Sequence, residues 1–399
     1  MSISLVFTPA LRVGGEVISG EVELHFPQVH EDEIEEVHVK LRGQVYAKVA
    51  RQYGNQYFDR RERIQIVKEN ISLWTKGSAY PPADSQILRL PFQFQLPYDV
   101  QPSCEFTGLY KYARVGYSVE AVGVRQGVLH LNRRIERPFS VVAPDSAGSP
   151  TRNALLVGWL GDWNTIERSD KIRRGLWGGY ADVRMELKLP SVNTFPIFTQ
   201  IPFELTVTSV TKEMKYDEED ETSTERLFPS PPIHPKEVEF VLRRHVHLNA
   251  QGWKATDTDT VAAVGGMGKD TENQKLVNVQ VTNKQWLPSE NEKHTGSWKQ
   301  MTTMKSFIMF KSTPSFETPI FSMHHILRIK VDFPGIGNNL EAEIPISIKS
   351  GMNTPDPDAF APPYPGPPPQ LDLPPAYWSG AQWGDQDEKN KSLFDKDGS

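Results

Sequence analysis

The chain is poor in cysteine: Cys104 is the only one in 399 residues. That excludes an intrachain disulfide and a thiolate zinc site built by one chain, and it fits a reducing compartment. A basic excess is also lacking. The 44 Lys and Arg stand against 50 Asp and Glu, for a net charge of −6, which argues against a bulk nucleic-acid binder. Long hydrophobic runs are missing too. The longest, around Ala154 to Leu160, falls far short of the ~20 residues that a bilayer helix needs. The start, Met1-Ser-Ile-Ser-Leu-Val-Phe-Thr-Pro9, has no basic stretch and stops its apolar run at proline. No secretory signal is expected, and the expected location is the cytoplasm.

Recognisable chemistry is equally scarce. There is no G-x-S-x-G elbow and no H-E-x-x-H pair, so no catalytic residue is assigned. Gly265-Gly-Met-Gly-Lys-Asp-Thr271 has Asp270 where a phosphate loop needs Ser or Thr, and it reads as a Gly-rich turn. His245 and His247 share one face of a strand, while the adjacent His324 and His325 point to opposite faces. Zinc needs three or four converging ligands, and the sequence shows no third, so no metal and no cofactor are expected. Cys104 reads as a small structural hydrophobe.

What is present is alternation. Val37, Val39, Leu41, Gly43 and Val45 fall on one face of a strand and Glu36, His38, Lys40 and Arg42 on the other. Leu88 to Leu96, Val115 to Ala121, Val183 to Leu189, Ile201 to Val207, Leu327 to Phe333 and Leu340 to Ile348 repeat the pattern. Val238, Phe240, Leu242 and Val246 do so as well, with Arg244 interrupting their face. Strict period two means one buried and one solvated face, so the expected fold is all-β: two consecutive immunoglobulin-like antiparallel β-sandwiches.

Breakers divide the chain. Ala143-Pro-Asp-Ser-Ala-Gly-Ser-Pro150 closes a first domain over 1–143, and 144–180, with three Trp and no clean period, reads as a connector. A second domain is expected over 181–350. Inside it, 213–226 carries Asp217-Glu-Glu-Asp-Glu221, a run of like charge expected to stay flexible. From Gly351 to Ser399 a disordered tail is expected. Ten of the twenty-one residues from Pro355 to Pro375 are proline, which favours an extended polyproline-II path.

The tail holds the most informative motif. Leu373-Pro-Pro-Ala-Tyr377 contains Pro-Pro-x-Tyr. In a helix of three residues per turn, Pro374 and Tyr377 lie on one side, so proline rings can pack on the aromatics of a WW domain while the tyrosine fills its own pocket. Pro374, Pro375 and Tyr377 are the candidate contacts, and Pro362, Pro363 and Tyr364 form a weaker cousin without the spacer. Basic clusters at Arg60, Arg61 and Arg63 and at Arg133 and Arg134 read as solvated strand ends, or as docking points for an acidic peptide through bidentate guanidinium contacts.

Together these features resemble the arrestin superfamily, and within it the fungal alpha-arrestin-like proteins. Val17-Ile-Ser-Gly-Glu-Val-Glu-Leu24, Val37-His-Val-Lys-Leu-Arg-Gly43, Leu90-Pro-Phe-Gln-Phe-Gln-Leu-Pro97 and Tyr117-Ser-Val-Glu-Ala121 carry the resemblance in the first half. Thr313-Pro-Ser-Phe316, Ile326 to Val331 and Ile344-Pro-Ile-Ser-Ile348 carry it in the second. The resemblance implies a non-catalytic adaptor. Its sandwiches would hold the cytosolic tail of a membrane transporter or receptor, and Pro374, Pro375 and Tyr377 would recruit a WW-domain ubiquitin ligase of the HECT class for ubiquitylation and endocytosis. Membrane contact would be peripheral, at the plasma membrane or endosomes. Two other readings stand beside it: a trafficking scaffold like the arrestin-fold subunit of retromer, acting without the ligase, and a β-sandwich carbohydrate-active protein, which would need two acids ~5–10 Å apart in a cleft.

Overall fold

The computed structural model describes residues 1–126, 131–175, 178–222, 226–268, 274–290, 294–335 and 337–355. The chain is all-β and built from several sheets, almost all of whose pairings are antiparallel. In the first half, Ile3–Val6, Val17–His25 and Ile87–Gln95 make a three-stranded sheet. It covers a six-stranded one ordered Leu11–Val13, Arg133–Val142, Lys111–Arg125, Ile34–Tyr53, Gln56–Thr75, with Cys104–Gly108 paired to Lys111–Arg125. The alternating positions Val37, Val39, Leu41 and Val45 are all buried between these layers with Ile18, Val22, Phe94, Val115 and Val119. Each such side chain contributes roughly 1.5–3 kcal/mol on burial. Gly43 is the exception in the row: a Cβ there would stand 2.7 Å from the Tyr117 ring. The missing side chain lets that ring lie across the strand, with its hydroxyl donating to Gln101 O at 2.8 Å.

The second half repeats the plan. Trp163–Arg173, Tyr180–Pro190, Ile201–Val210 and Thr295–Ile308 run in that order in one sheet. Trp253–Ala263, Val238–Ala250, Phe321–Asp332 and Asn339–Ile346 form the other. Met185, Leu187, Leu205, Phe240, Ile329 and Ala342 fill the space between.

Two stretches carry more structure than the sequence suggests. The stretch 144–180 is more than a connector: it carries a helix, Ser149–Val157, and a complete edge strand, Trp163–Arg173, paired residue by residue with Tyr180–Pro190. Edge position leaves nearly all of that strand exposed, so its side chains need not alternate. The acidic stretch also has structure. Met214–Lys215 pairs with Gly296 and Thr295, Glu218–Thr222 forms a short helix, and Lys284 Nζ donates to Asp220 O at 2.9 Å. The Lys284 ammonium beside this run offsets part of the repulsion that composition alone suggests; residues 223–225 lie outside the described residues.

The two cores do not respect the sequence boundary. On Val238–Ala250, Val238, Phe240 and Leu242 belong to the second core, while Val246, Leu248 and Ala250 pack into the first. Phe321–Asp332 crosses in the same way: Phe321 and Met323 join the first core, and Leu327, Ile329 and Val331 the second. The halves are therefore joined by continuous strands as well as by a linker.

Candidate docking surface

The Ile34–Tyr53 and Gln56–Thr75 strands are 20 residues each, and the hairpin they form closes at Gly54, whose φ of 60° is open to glycine at no steric cost. Its last residues run past the core. Tyr53 and Tyr57 are more than half exposed and Phe58 nearly so. Two more turns come up beside this tip. One holds Tyr110 with φ of 61°; the other, Ala250 to Trp253, places Gln251 and Gly252 at φ of 48° and 81°. Two successive positive φ values define a type I′ turn, whose twist matches the strands it joins. At Tyr110 and Gln251 a side chain occupies backbone space that costs of order 1–3 kcal/mol, the kind of strain that gathers at functional surfaces.

The tip is locked across the two halves. Arg60 Nη1 donates to Gln251 O at 2.9 Å, and Gln251 N–H donates to Glu62 Oε2 at 2.6 Å. The guanidiniums of Arg51 and Arg60 lie 4.7 and 5.1 Å from the Trp253 ring centre, with Tyr53 at 6.5 Å. Lys111 Nζ reaches Asp257 Oδ2 at 2.9 Å and Thr256 O at 2.8 Å, and its hydrogen bond holds the Asp257 carboxyl below the usual range. The outcome is a crest of aromatic rings and cations at the joint, with an open cleft of about 370 Å³ between Lys48, Tyr57, Phe58, Tyr110 and Tyr112. Rings that expose both an apolar face and a polar tip suit a docking surface for a peptide chain.

The sequence-derived arginines fall into two separate groups. Arg60, Arg61 and Arg63 lie on the crest hairpin, but their charges are largely engaged. Arg61 donates to Asp59 at 2.9 and 3.3 Å, Lys48 meets the same carboxylate at 3.0 Å, and Arg63 stands over Tyr46 at 5.9 Å. The hydrogen bond from Arg61 holds Asp59 below the ordinary carboxylate range. Arg133 forms a two-toothed pair with Asp32 at 3.1 and 2.5 Å, and Arg134 meets Glu120 at 3.3 Å. Arg133 aligns with Gly123, which aligns with Val37, whereas Arg60 aligns with Val49. From Val37 to Val49 is roughly 40 Å at ~3.3 Å per residue. The five arginines do not form one acidic-peptide site.

Other sequence candidates resolve simply. Cys104 is buried, and burial pushes its thiol far above the ordinary range. Gly265, Gly266 and Gly268 all have positive φ, and the Met267 between them is fully buried in the second core, which makes the segment a turn that plugs the sandwich. The aromatic partners of the crest were not singled out from sequence, because Tyr53, Tyr110 and Trp253 lie on three different turns. Pro362, Pro363, Tyr364, Pro374, Pro375 and Tyr377 lie outside the described residues. The point from which they depart is well defined: Ser350 Oγ donates to Ala143 O at 2.6 Å, Asp145 N–H to Met352 O at 2.7 Å, and Thr354 Oγ1 to Gly14 O at 2.6 Å. Among the described residues no helix is long and apolar enough to cross a membrane. No protein-family model matches the chain, and no curated protein matches it.

Proposed function

We propose that this chain is an arrestin-like, non-catalytic adaptor that brings a WW-domain ubiquitin ligase to the cytosolic tail of a membrane transporter or receptor. The reading is supported by the division of labour along the chain. Two all-β halves share strands and present an aromatic and cationic crest at their joint, while Pro374, Pro375 and Tyr377 follow a root tied to Gly14 and Asp145. Holding ligase and cargo on one body makes ubiquitin transfer effectively intramolecular, so the adaptor needs no reaction centre of its own. In this reading the crest takes the cargo and the tail takes the ligase. The aromatic rings of Tyr57, Phe58 and Tyr110 supply area, and the exposed Arg51 guanidinium beside the Trp253 ring favours an acidic or phosphorylated segment.

The test is proximity labelling in cells with the intact protein and with Tyr377→Ala. Loss of a HECT ligase from the labelled set, with membrane cargo retained, supports the adaptor. An unchanged set in which coat components dominate favours the trafficking scaffold instead, and deletion of 351–399 would then leave function intact.

A further inference from the structure

His245 and His247 alternate with Val246 and Leu248, which are buried, so both imidazoles stand on the outward face of the Val238–Ala250 strand. On the neighbouring strand Met323 and His325 point inward, which leaves His324 facing out. The register sets His324 directly opposite His245, and opposite Ser322 comes His247. His324 is therefore the cross-strand neighbour of one histidine and the diagonal neighbour of the other. The third imidazole that the sequence does not reveal is supplied by strand pairing.

We propose that His245, His247 and His324 form a binding site for a divalent transition metal of the zinc class on the outward face of this sheet. In a tetrahedral site with Zn–N of ~2.0–2.1 Å, the centres of two bound imidazoles stand about 5 Å apart. The observed ring centres are 4.5 Å apart for His245 and His247 and 6.2 Å apart for His247 and His324, values on either side of that spacing. His245 is already oriented: its Nδ1 is 2.6 Å from Thr258 Oγ1, and in the tautomer whose Nδ1–H donates to that hydroxyl, Nε2 is the nitrogen offered to a metal. A second partner of that kind is what fixes the tautomer and ring plane of metal-bound histidines. The other two rings are exposed, and exposed side chains reorient in picoseconds to nanoseconds. As the side chains stand, no group of three His, Cys, Asp or Glu among the described residues could hold a metal ion; binding requires the exposed rings of His247 and His324 to turn toward His245.

The surroundings select the class of ion. The residues opposite these histidines in the ladder are Thr258, Thr256 and Ser322, none of them a carboxylate. Three neutral imidazoles suit zinc, nickel or copper and give calcium or magnesium little to hold. Arg243, on the same face, is tied to Glu343 at 2.6 Å, which offsets its charge. A metal here would staple two strands whose inner faces carry Val246, Leu248 and Met323 into the first core, so occupancy would stiffen the joint between the halves.

The test is calorimetric titration of the intact chain with zinc chloride near neutral pH, with magnesium chloride as a control. The expected result is one zinc per chain with Kd in the micromolar range or tighter and no magnesium binding. Affinity should weaken by ~tenfold or more in His324→Ala and in His247→Ala. His30→Ala, at an exposed histidine in the first half, should leave it unchanged. His324→Gln, which keeps polarity but cannot ligate, should behave like His324→Ala while melting at the temperature of the unaltered protein without zinc. Zinc binding that survives His324→Ala and His324→Gln undiminished, or the absence of zinc binding below ~0.1 mM, would overturn the proposal.

Discussion

Arg244 and His325 face each other on adjacent strands at the level where both strands leave one hydrophobic core and enter the other. Arg244 is held by Asp259 through two bonds of 2.8 Å, and its guanidinium lies 5.3 Å from the Phe106 ring centre in the first half. His325 is 1% exposed, with Nδ1 3.0 Å from Ser315 Oγ. Burial, then the charge of Arg244, pushes its pKa down to about 4. A neutral buried histidine beside a paired arginine is the polar layer that separates the two cores. It also accounts for the arginine that breaks an otherwise apolar face in the sequence.

This layer makes stability depend on pH. Below the ordinary histidine value of 6.5 the unfolded chain takes up a proton at His325, while the folded chain refuses it until about pH 4. Stability is therefore complete above pH 6.5, falls as pH drops through that window, and has lost roughly 3 kcal/mol once pH is below 4. His38 and His245, also lowered by burial, act in the same direction. Denaturant melts from pH 7 to 4 should show His325→Gln losing much less stability across the window than the unaltered protein.

Gly43 and Tyr117 give a packing prediction. The Tyr117 ring is fixed by its hydroxyl, which donates to Gln101 O and accepts from Gln101 N–H at 3.1 Å. It cannot move aside for a methyl group 2.7 Å away. Gly43→Ala should cost about 1–3 kcal/mol, seen as a lower urea midpoint at unchanged slope.

The Lys111–Asp257 pair crosses between the halves with both side chains less than one-third exposed. A double-mutant cycle with Lys111→Met and Asp257→Asn should give a coupling of ~0.5–1 kcal/mol that shrinks at high salt. Trp253→Ala should cost more, about 1–3 kcal/mol, because it removes a surface shared by Arg51, Arg60 and Tyr53.

On the crest, Tyr57 and Phe58 are exposed and carry little of the core. The double replacement by serine should change the melting temperature by less than ~2 °C yet reduce capture of a cargo tail severalfold in a pull-down. A loss of capture only after the fold is lost would assign these rings to structure instead.

Much of this architecture is legible in the sequence where one face of a strand is buried. Val37 to Val45, Val183 to Leu189 and Leu327 to Phe333 alternate because a core lies on one side only, and in the structure their apolar positions are buried. The Trp163–Arg173 strand is not legible, since an edge strand exposed along most of its length places no demand on alternation. The crest is illegible for a different reason: Tyr53, Tyr110 and Trp253 meet only after three hairpins are registered against each other. The same holds for His324, whose place beside His245 is set by strand pairing and by nothing within its own segment.

The central claim is that the tail carries the ligase-binding function and the folded halves do not. Calorimetric titration of the intact chain with an isolated WW domain tests it most directly. The account predicts one-to-one binding that Tyr377→Ala abolishes and that Tyr57→Ser with Phe58→Ser leaves untouched. Binding that persists in Tyr377→Ala, or that fails in the unaltered chain, would contradict it.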